Sequence, residues 1–263
     1  MSKPQFLVDS SALLEADTTL LGAELRHLRA RRVSVGSEVL LTDGLGHLRR
    51  GIVSALDRHR ATIRLIEEAV TQPVPSLRLV LAQVLLKASK TDMVIEKATE
   101  LGVNDIIVLT SERSVARANP EHQARWQRIA TSAAKQCGRA SVPRIMGPTP
   151  FETLLDAATA DVRLLFWEGS RSGGLAQAKA ERACSDSVLA VVGPEGGFST
   201  LEAAAAERAR FLPISLGNHI LRAETAAIVA VTLCQYLWGY LGEGRSSQPS
   251  SSAAQLACEP AGP

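Results

Sequence analysis

The chain has 263 residues, of which 46% are apolar and 21% charged, and a formal net charge of +2. That length allows one large domain or two of ordinary size, and the apolar content excludes a wholly disordered polypeptide. Aromatics are scarce at 4%, so base-stacking platforms for free single strands are few.

The start, MSKPQFLVDSS, lacks the basic and apolar regions of a secretory signal. The longest strongly apolar stretch, AAIVAVTLC (226–234), is too short to span a bilayer. Cys137, Cys184, Cys234 and Cys258 are scattered, with no C-x-x-C pair and no histidines at ligand spacing. A reduced, cytoplasmic protein without a metal is expected. The first seventy residues read as short strands, with Asp43-Gly44 as a turn dipeptide between two β-rich runs and a further strand over 58–66. TQPVPS (71–76), with two prolines, is the expected linker.

Beyond it the rhythm changes. LRLVLAQVL (77–85) is a buried-strand run, and KTDMVIEKATELG (90–102) carries Val94, Ala98 and Leu101 at helical spacing before a terminal glycine. A strand (105–110), a helix (121–138), a strand (162–167) and another strand (187–193) follow. This alternation predicts an α/β unit built on a mostly parallel sheet covered on both faces. Residues 111–144 hold seven Lys/Arg against Glu112 and Glu121, while residues 145–243 lean acidic. A basic stretch beside an acidic half points to a polyanionic partner. The tail from Glu243 is rich in Ser, Pro, Gly and Ala, and disorder is expected over 243–263.

The stretch VVGPEGGFSTLE (191–202) carries the most chemistry. Ser199 and Glu202 form an S-x-x-E capping box, so the layout is strand, glycine loop, helix N-terminus. The P-loop and dinucleotide fingerprints are both absent. Alone, the loop is equally well a tight connection needing positive φ. A second strand end, SLGNHILRAET (215–225), also opens a helix. Two such ends can flank one pocket at the carboxyl edge of a parallel sheet. The acid Glu195 suits a ligand bearing hydroxyls or positive charge, such as the sulfonium of S-adenosylmethionine, and works against a phosphate.

GPEGGFS (193–199) together with LGNHILRAETAA (216–227) resembles the signature pair of the SPOUT methyltransferases. The resemblance is specifically to the bacterial 16S ribosomal RNA uridine-N3 methyltransferase family. It extends through KTDMVIEKATELGV (90–103), SERSVAR (111–117) and WQRIATSAAKQCGRASVP (126–143), and covers roughly residues 3–242. It implies a PUA-like β-barrel RNA-binding domain over 1–72 and a SPOUT α/β methyltransferase domain with a trefoil knot over 73–242. It also implies a homodimer and ribosomal RNA, within the assembled small subunit, as partner. S-adenosyl-L-methionine is the implied cofactor, held largely by the backbone of three loops. Carried over, the first loop contributes Leu85 and Leu86, and the second Gly193, Pro194, Glu195, Gly196 and Gly197. The third contributes Leu216, Gly217, Asn218, Ile220, Leu221, Arg222, Thr225 and Ala226.

Methylating uridine N3 requires removal of the imide proton and exposure of the pairing edge, so the base must be single-stranded or flipped out. Arg222 is the candidate to stabilise the uracil anion, its plainer alternative being a salt bridge to Glu224. Glu224 is either the general base or a first-turn residue on the helix dipole. The RNA contacts expected are Arg29, Arg31 and Arg32 in the first domain, and Lys90, Arg113, Arg117, Gln136 and Arg139 in the second, as phosphate ligands. His219 and Gln5 stand where the family has arginine, departures expected to bear on RNA contacts more than on the cofactor loops. A SPOUT enzyme acting on another RNA position, or a non-catalytic RNA-binding assembly factor, are the alternatives left open.

Overall fold

The computed structural model describes residues 3–66, 70–71, 77–87, 89–116, 119–170, 174–181, 185–239 and 241. The expected linker (71–76) apart from Thr71, which belongs to a strand, the tail, Arg117, Cys184 and Cys258 lie outside them.

The first unit is one sheet with a helix. Its strands are β1 (Gln5–Leu7), β2 (Asp17–Leu20), β3 (Glu38–Thr42), β4 (His47–Leu56), β5 (Ala61–Leu65) and β6 (Val70–Thr71). The order is β1-β3-β4-β5-β2, with β6 paired to β4. The Asp43-Gly44 turn does connect antiparallel β3 and β4. Asp43 shapes it, accepting hydrogen bonds from the backbone N–H groups of Leu45 and His47. The region expected to be all short strands also contains α1 (Gly22–Ala30), which turns buried Leu25 and Leu28 into the core with Phe6, Leu41 and Ile63. Leu21 caps it without a side-chain bond, so the usual start signal is missing.

The second unit is a six-stranded sheet of β7 (Arg78–Val84), β8 (Asp105–Thr110), β9 (Arg144–Pro150), β10 (Val162–Phe166), β11 (Ser187–Val192) and β12 (Leu212–Ile214). The order is β12-β10-β11-β7-β8-β9, and every neighbouring pair is parallel. The helices are α2 (Ser89–Glu100), α3 (Pro120–Cys137), α4 (Phe151–Ala157), α5 (Leu175–Glu181), α6 (Thr200–Arg208) and α7 (Ala223–Leu237). One apolar core joins the sheet to α2, α3 and α7, around Leu81, Ile95, Trp126, Ala230 and Val231. A second, on the other face, joins it to α4 and α6 through Phe151, Leu155, Phe198 and Ala206. Both faces are covered, which explains the near-continuous apolar strands.

Helix ends follow local chemistry. Asn119 caps α3 ahead of a first-turn proline, and Gly138 ends it in the left-handed region. The expected capping box is present at α6: Glu202 N donates to Ser199 Oγ, and Ser199 N donates to Glu202 Oε2 at 2.8 Å. No helix among the described residues is long and apolar enough to cross a membrane.

The two units meet through specific bonds. Gln5, 2% exposed, donates through Nε2 to Arg139 O at 2.7 Å, and Thr42 Oγ1 donates to Ala140 O at 2.7 Å. Val142 N donates to Gly44 O, and Lys135 pairs with Glu24 at 2.7 Å. Gln5 therefore sits at the domain junction instead of on an RNA-facing surface. A side chain near the start of the chain can still be buried when its strand lies against the other unit.

Candidate active site

Order along the second sheet reverses where β11, reached late in the chain, lies beside β7, its first strand. Crevices at the carboxyl ends of strands near such a reversal are the usual ligand sites of open α/β sheets. Here a pocket of about 310 Å³ opens at the ends of β10 and β11. Its walls are Phe166 at the end of β10 with Glu168 beyond it, Gly193, Pro194, Glu195 and Gly197 of the loop after β11, Lys90 of α2, and Ile220 to Ala223 with Ala226 around the start of α7. A second lobe of about 140 Å³ shares Phe166, Glu168, Ile220, Leu221 and Ala226. Trp167, Leu216, Gly217, Asn218 and His219 close it.

The glycine loop is held from three sides. Gln83 of β7, buried, donates through Nε2 to Val84 O at 2.8 Å and to Gly193 O at 3.1 Å. Arg113 Nη1 donates to Gly196 O at 3.1 Å. Buried Glu202, besides its cap bond, accepts through Oε1 from Glu112 N at 2.9 Å, so α6 anchors the segment that carries Arg113. Gly197 has φ +66°, and a Cβ there would overlap Glu168 Oε1. The left-handed backbone favours glycine, and a side chain there would have to displace the Glu168 carboxylate.

Glu195 is not left bare in its loop. Lys90 Nζ lies 3.2 Å from Glu195 Oε1 and 3.4 Å from Glu224 Oε2. One ammonium thus bridges two ligand loops. Burial would raise the Glu195 carboxyl, but its own backbone N–H, Lys90 and Lys87 N outweigh that and hold it below the ordinary range. Lys90 is raised, by the Glu195 hydrogen bond first, against desolvation and with Glu224 adding to it. The acid that looked out of place in a glycine loop is the partner of a lysine 105 positions earlier.

The residues expected at the cofactor divide as follows. Gly193, Pro194, Glu195, Gly197, Ile220, Leu221, Arg222 and Ala226 line the larger lobe, and Leu216, Gly217 and Asn218 the smaller. Gly196 belongs to the loop, facing Arg113. Thr225 is exposed on the first turn of α7 and lines neither lobe. The side chains of Leu85 and Leu86 turn into the core and line a separate cavity with Asp92, Arg125 and Trp126. Apolar residues at the end of a central strand are drawn to the packed face, leaving only backbone near the loop.

Arg222 makes no ion pair among the described residues, and the bridge to Glu224 considered from sequence is not formed, since Glu224 turns to Lys90. His219 lines the smaller lobe, so this departure touches the pocket.

Of the residues expected at RNA, Arg29 Nη2 donates to Asp57 O at 2.7 Å, and Arg31 and Arg32 stand exposed at the end of α1. Gln136 is exposed. Arg139 donates to Thr99 O and Val103 O beside the domain junction, and Lys90 is part of the pocket. Sequence reading missed Glu168, Phe166 and Trp167. The signal available was an acid directly following a buried parallel strand, FWEG (166–169).

Comparison with known proteins places this geometry. An RNA methyltransferase domain model matches residues 73–235, and an RNA methyltransferase PUA domain model matches 20–66. The ribosomal RNA small subunit methyltransferase E of Synechocystis is 31% identical over 230 residues, covering 86% of this chain and 75% of that protein. Among solved structures, the Neisseria gonorrhoeae enzyme of the same name, bound to S-adenosyl methionine, superposes with TM-score 0.84 at 31% identity. The match covers 91% of this chain and 100% of that one. A putative methyltransferase from Legionella pneumophila in complex with the same cofactor gives 0.81 at 25% identity, over 91% and 99%. The chain belongs to the RNA methyltransferase family, with an RNA methyltransferase PUA domain preceding the methyltransferase domain.

Proposed function

We propose that the chain methylates N3 of a uridine in small-subunit ribosomal RNA, using S-adenosylmethionine. The observation that carries the reading is the two-lobed pocket between the glycine loop and the start of α7, in a fold shared with relatives solved with that molecule. The residues fit such a ligand. The larger lobe is at the low end of the usual size for small-molecule sites. Its charged groups are Glu168, Glu195, Lys90 and Arg222, and no phosphate cradle is needed for a nucleoside carrying a sulfonium.

When bound, the cofactor supplies an electrophilic methyl group. The rest is done by the chain. Arg222, at the pocket and without an ion pair among the described residues, stabilises the uracil anion left when the N3 proton passes to solvent water, a contribution of the oxyanion-hole kind. Glu224 is a positioning residue, holding Lys90 and through it Glu195. The Arg29, Arg31 and Arg32 cluster on α1 takes RNA phosphates, with Gln136 and Arg113 on the methyltransferase unit. A second copy of the chain is proposed to cover α7, where Tyr236 is 64% exposed beside half-buried Leu233 and Leu237.

The test is incubation with methyl-labelled cofactor and small subunits from a strain lacking this modification, followed by mass spectrometry of the nucleosides. Labelled N3-methyluridine is expected. Arg222→Met is expected to lose roughly 100- to 1,000-fold in turnover at saturating cofactor. Label in another nucleoside overturns the uridine-N3 assignment, and unchanged turnover in the variant overturns the role of Arg222.

A further inference from the structure

Three carboxylates stand at this site, and they are not equivalent. Glu195 and Glu224 share Lys90. Glu168 has neither an ion pair nor a hydrogen bond among the described residues. It follows directly on Trp167, and it is one of the few side chains common to both lobes. Its carboxylate occupies the space over Gly197 that any side chain there would fill. The glycine therefore gives the carboxylate its place at the boundary between lobes. Counting Lys90 and Arg222 against Glu168, Glu195 and Glu224, the site carries one net negative charge.

Resting on the cofactor reading above, we propose that Glu168 is a recognition residue for the positive sulfur of the methyl donor, and that it distinguishes the charged donor from its neutral demethylated product. The chemistry of the ligand directs this choice. In S-adenosylmethionine the sulfur joins the nucleoside arm to the amino-acid arm, so a molecule occupying two adjoining lobes brings its sulfur to the shared wall. A carboxylate on that wall, unpaired among the described residues, meets the positive charge that the cofactor loses in the reaction. During transfer the C–S bond breaks and its electron pair stays on sulfur, while uridine N3 gains the methyl. The sulfonium becomes a neutral thioether, and the attraction to Glu168 ends with the step, which favours product release.

The experiment is calorimetric titration of wild type, Glu168→Gln and Glu168→Asp with S-adenosylmethionine and, separately, with S-adenosylhomocysteine. The two ligands share the adenosine, the ammonium and the carboxylate, and differ in the methyl and its charge. Glu168→Gln is expected to weaken the donor about tenfold, equivalent to about 1.4 kcal/mol, and the product less than twofold. Glu168→Asp, which keeps the charge on a shorter arm, is expected to recover part of the loss. Equal weakening of both ligands overturns the proposal, because the carboxylate would then hold hydroxyls or the ammonium. So does the absence of any change. If wild type binds neither ligand, the cofactor reading itself fails, a result distinct from either. Because Glu168 is exposed, unchanged thermal unfolding of the variants separates recognition from folding.

Discussion

Replacing Glu202 by alanine tests the link between helix capping and the ligand loop. The buried carboxylate accepts from Ser199 N at 2.8 Å and from Glu112 N at 2.9 Å. The first bond is half of a capping box, and losing such a cap costs about 1 kcal/mol. The second joins a charged acceptor to a backbone donor in a loop, worth about 1.5 kcal/mol at the low end for charged groups. Glu202→Ala should therefore lose roughly 2–3 kcal/mol in urea or guanidinium unfolding, a fall in Tm of about 5–10 °C for a chain of this size. Ser199→Ala removes one cap acceptor but leaves the Glu112 bond, so it should cost about 1 kcal/mol. The decisive readout is local. Hydrogen exchange should rise over 111–116 and 193–197 in Glu202→Ala, because Arg113 loses its fixed base under Gly196 O. Equal destabilisation by the two variants, or unchanged exchange in the glycine loop, would refute the tether.

Three further outcomes are expected. Gly197→Ala forces an L-residue into φ +66°, costing about 1–2 kcal/mol, and pushes Glu168 aside with a loss of cofactor affinity. Gly196→Ala, whose Cβ would meet Arg113 at an ordinary 3.5 Å, should be nearly neutral in the same denaturation and binding assays. Asp105 bridges Arg78 and Arg144 at 2.8 Å each. Burial raises its carboxyl, but Arg144 and Arg78 outweigh burial and hold it below the ordinary value. A depressed folded-state pKa gives stability that is complete above the unfolded value of about 3.9 and lost as pH falls through the folded value. The stability gap between wild type and Asp105→Asn should thus be constant above about pH 5 and close at lower pH; a gap that persists to pH 2 would contradict the ion network.

Local signals in the chain were legible where one short segment holds the whole interaction. The Ser199/Glu202 box, the apolar spacing of α2 and the buried β7, β8, β10 and β11 all read directly. Helix α1 escaped because Leu21 offers no cap and its buried face rests on little more than Leu25 and Leu28. The glycine loop and the start of α7 were both found, yet the partner of Glu195 was not, since Lys90 arrives from a different element. Glu168 was missed, and Gln5 was read as bearing on RNA contacts, for the same reason. Their meaning depends on Gly197 and on Arg139, contacts that no periodicity encodes.

The junction between the two units has a consequence for how a target is chosen. Thr42 bonded to Ala140 O, Gln5 to Arg139 O, and Lys135 paired with Glu24 fasten the α1 side of the molecule to the sheet that bears the pocket. On the proposed grip of RNA at α1, the span from grip to pocket would be a property of the protein, as in a caliper with its jaws locked. A nucleotide would then be selected by how far it lies along a folded RNA from the point of grip. Loosening that joint, with pocket and arginines untouched, would blur which position is modified before it slowed the modification.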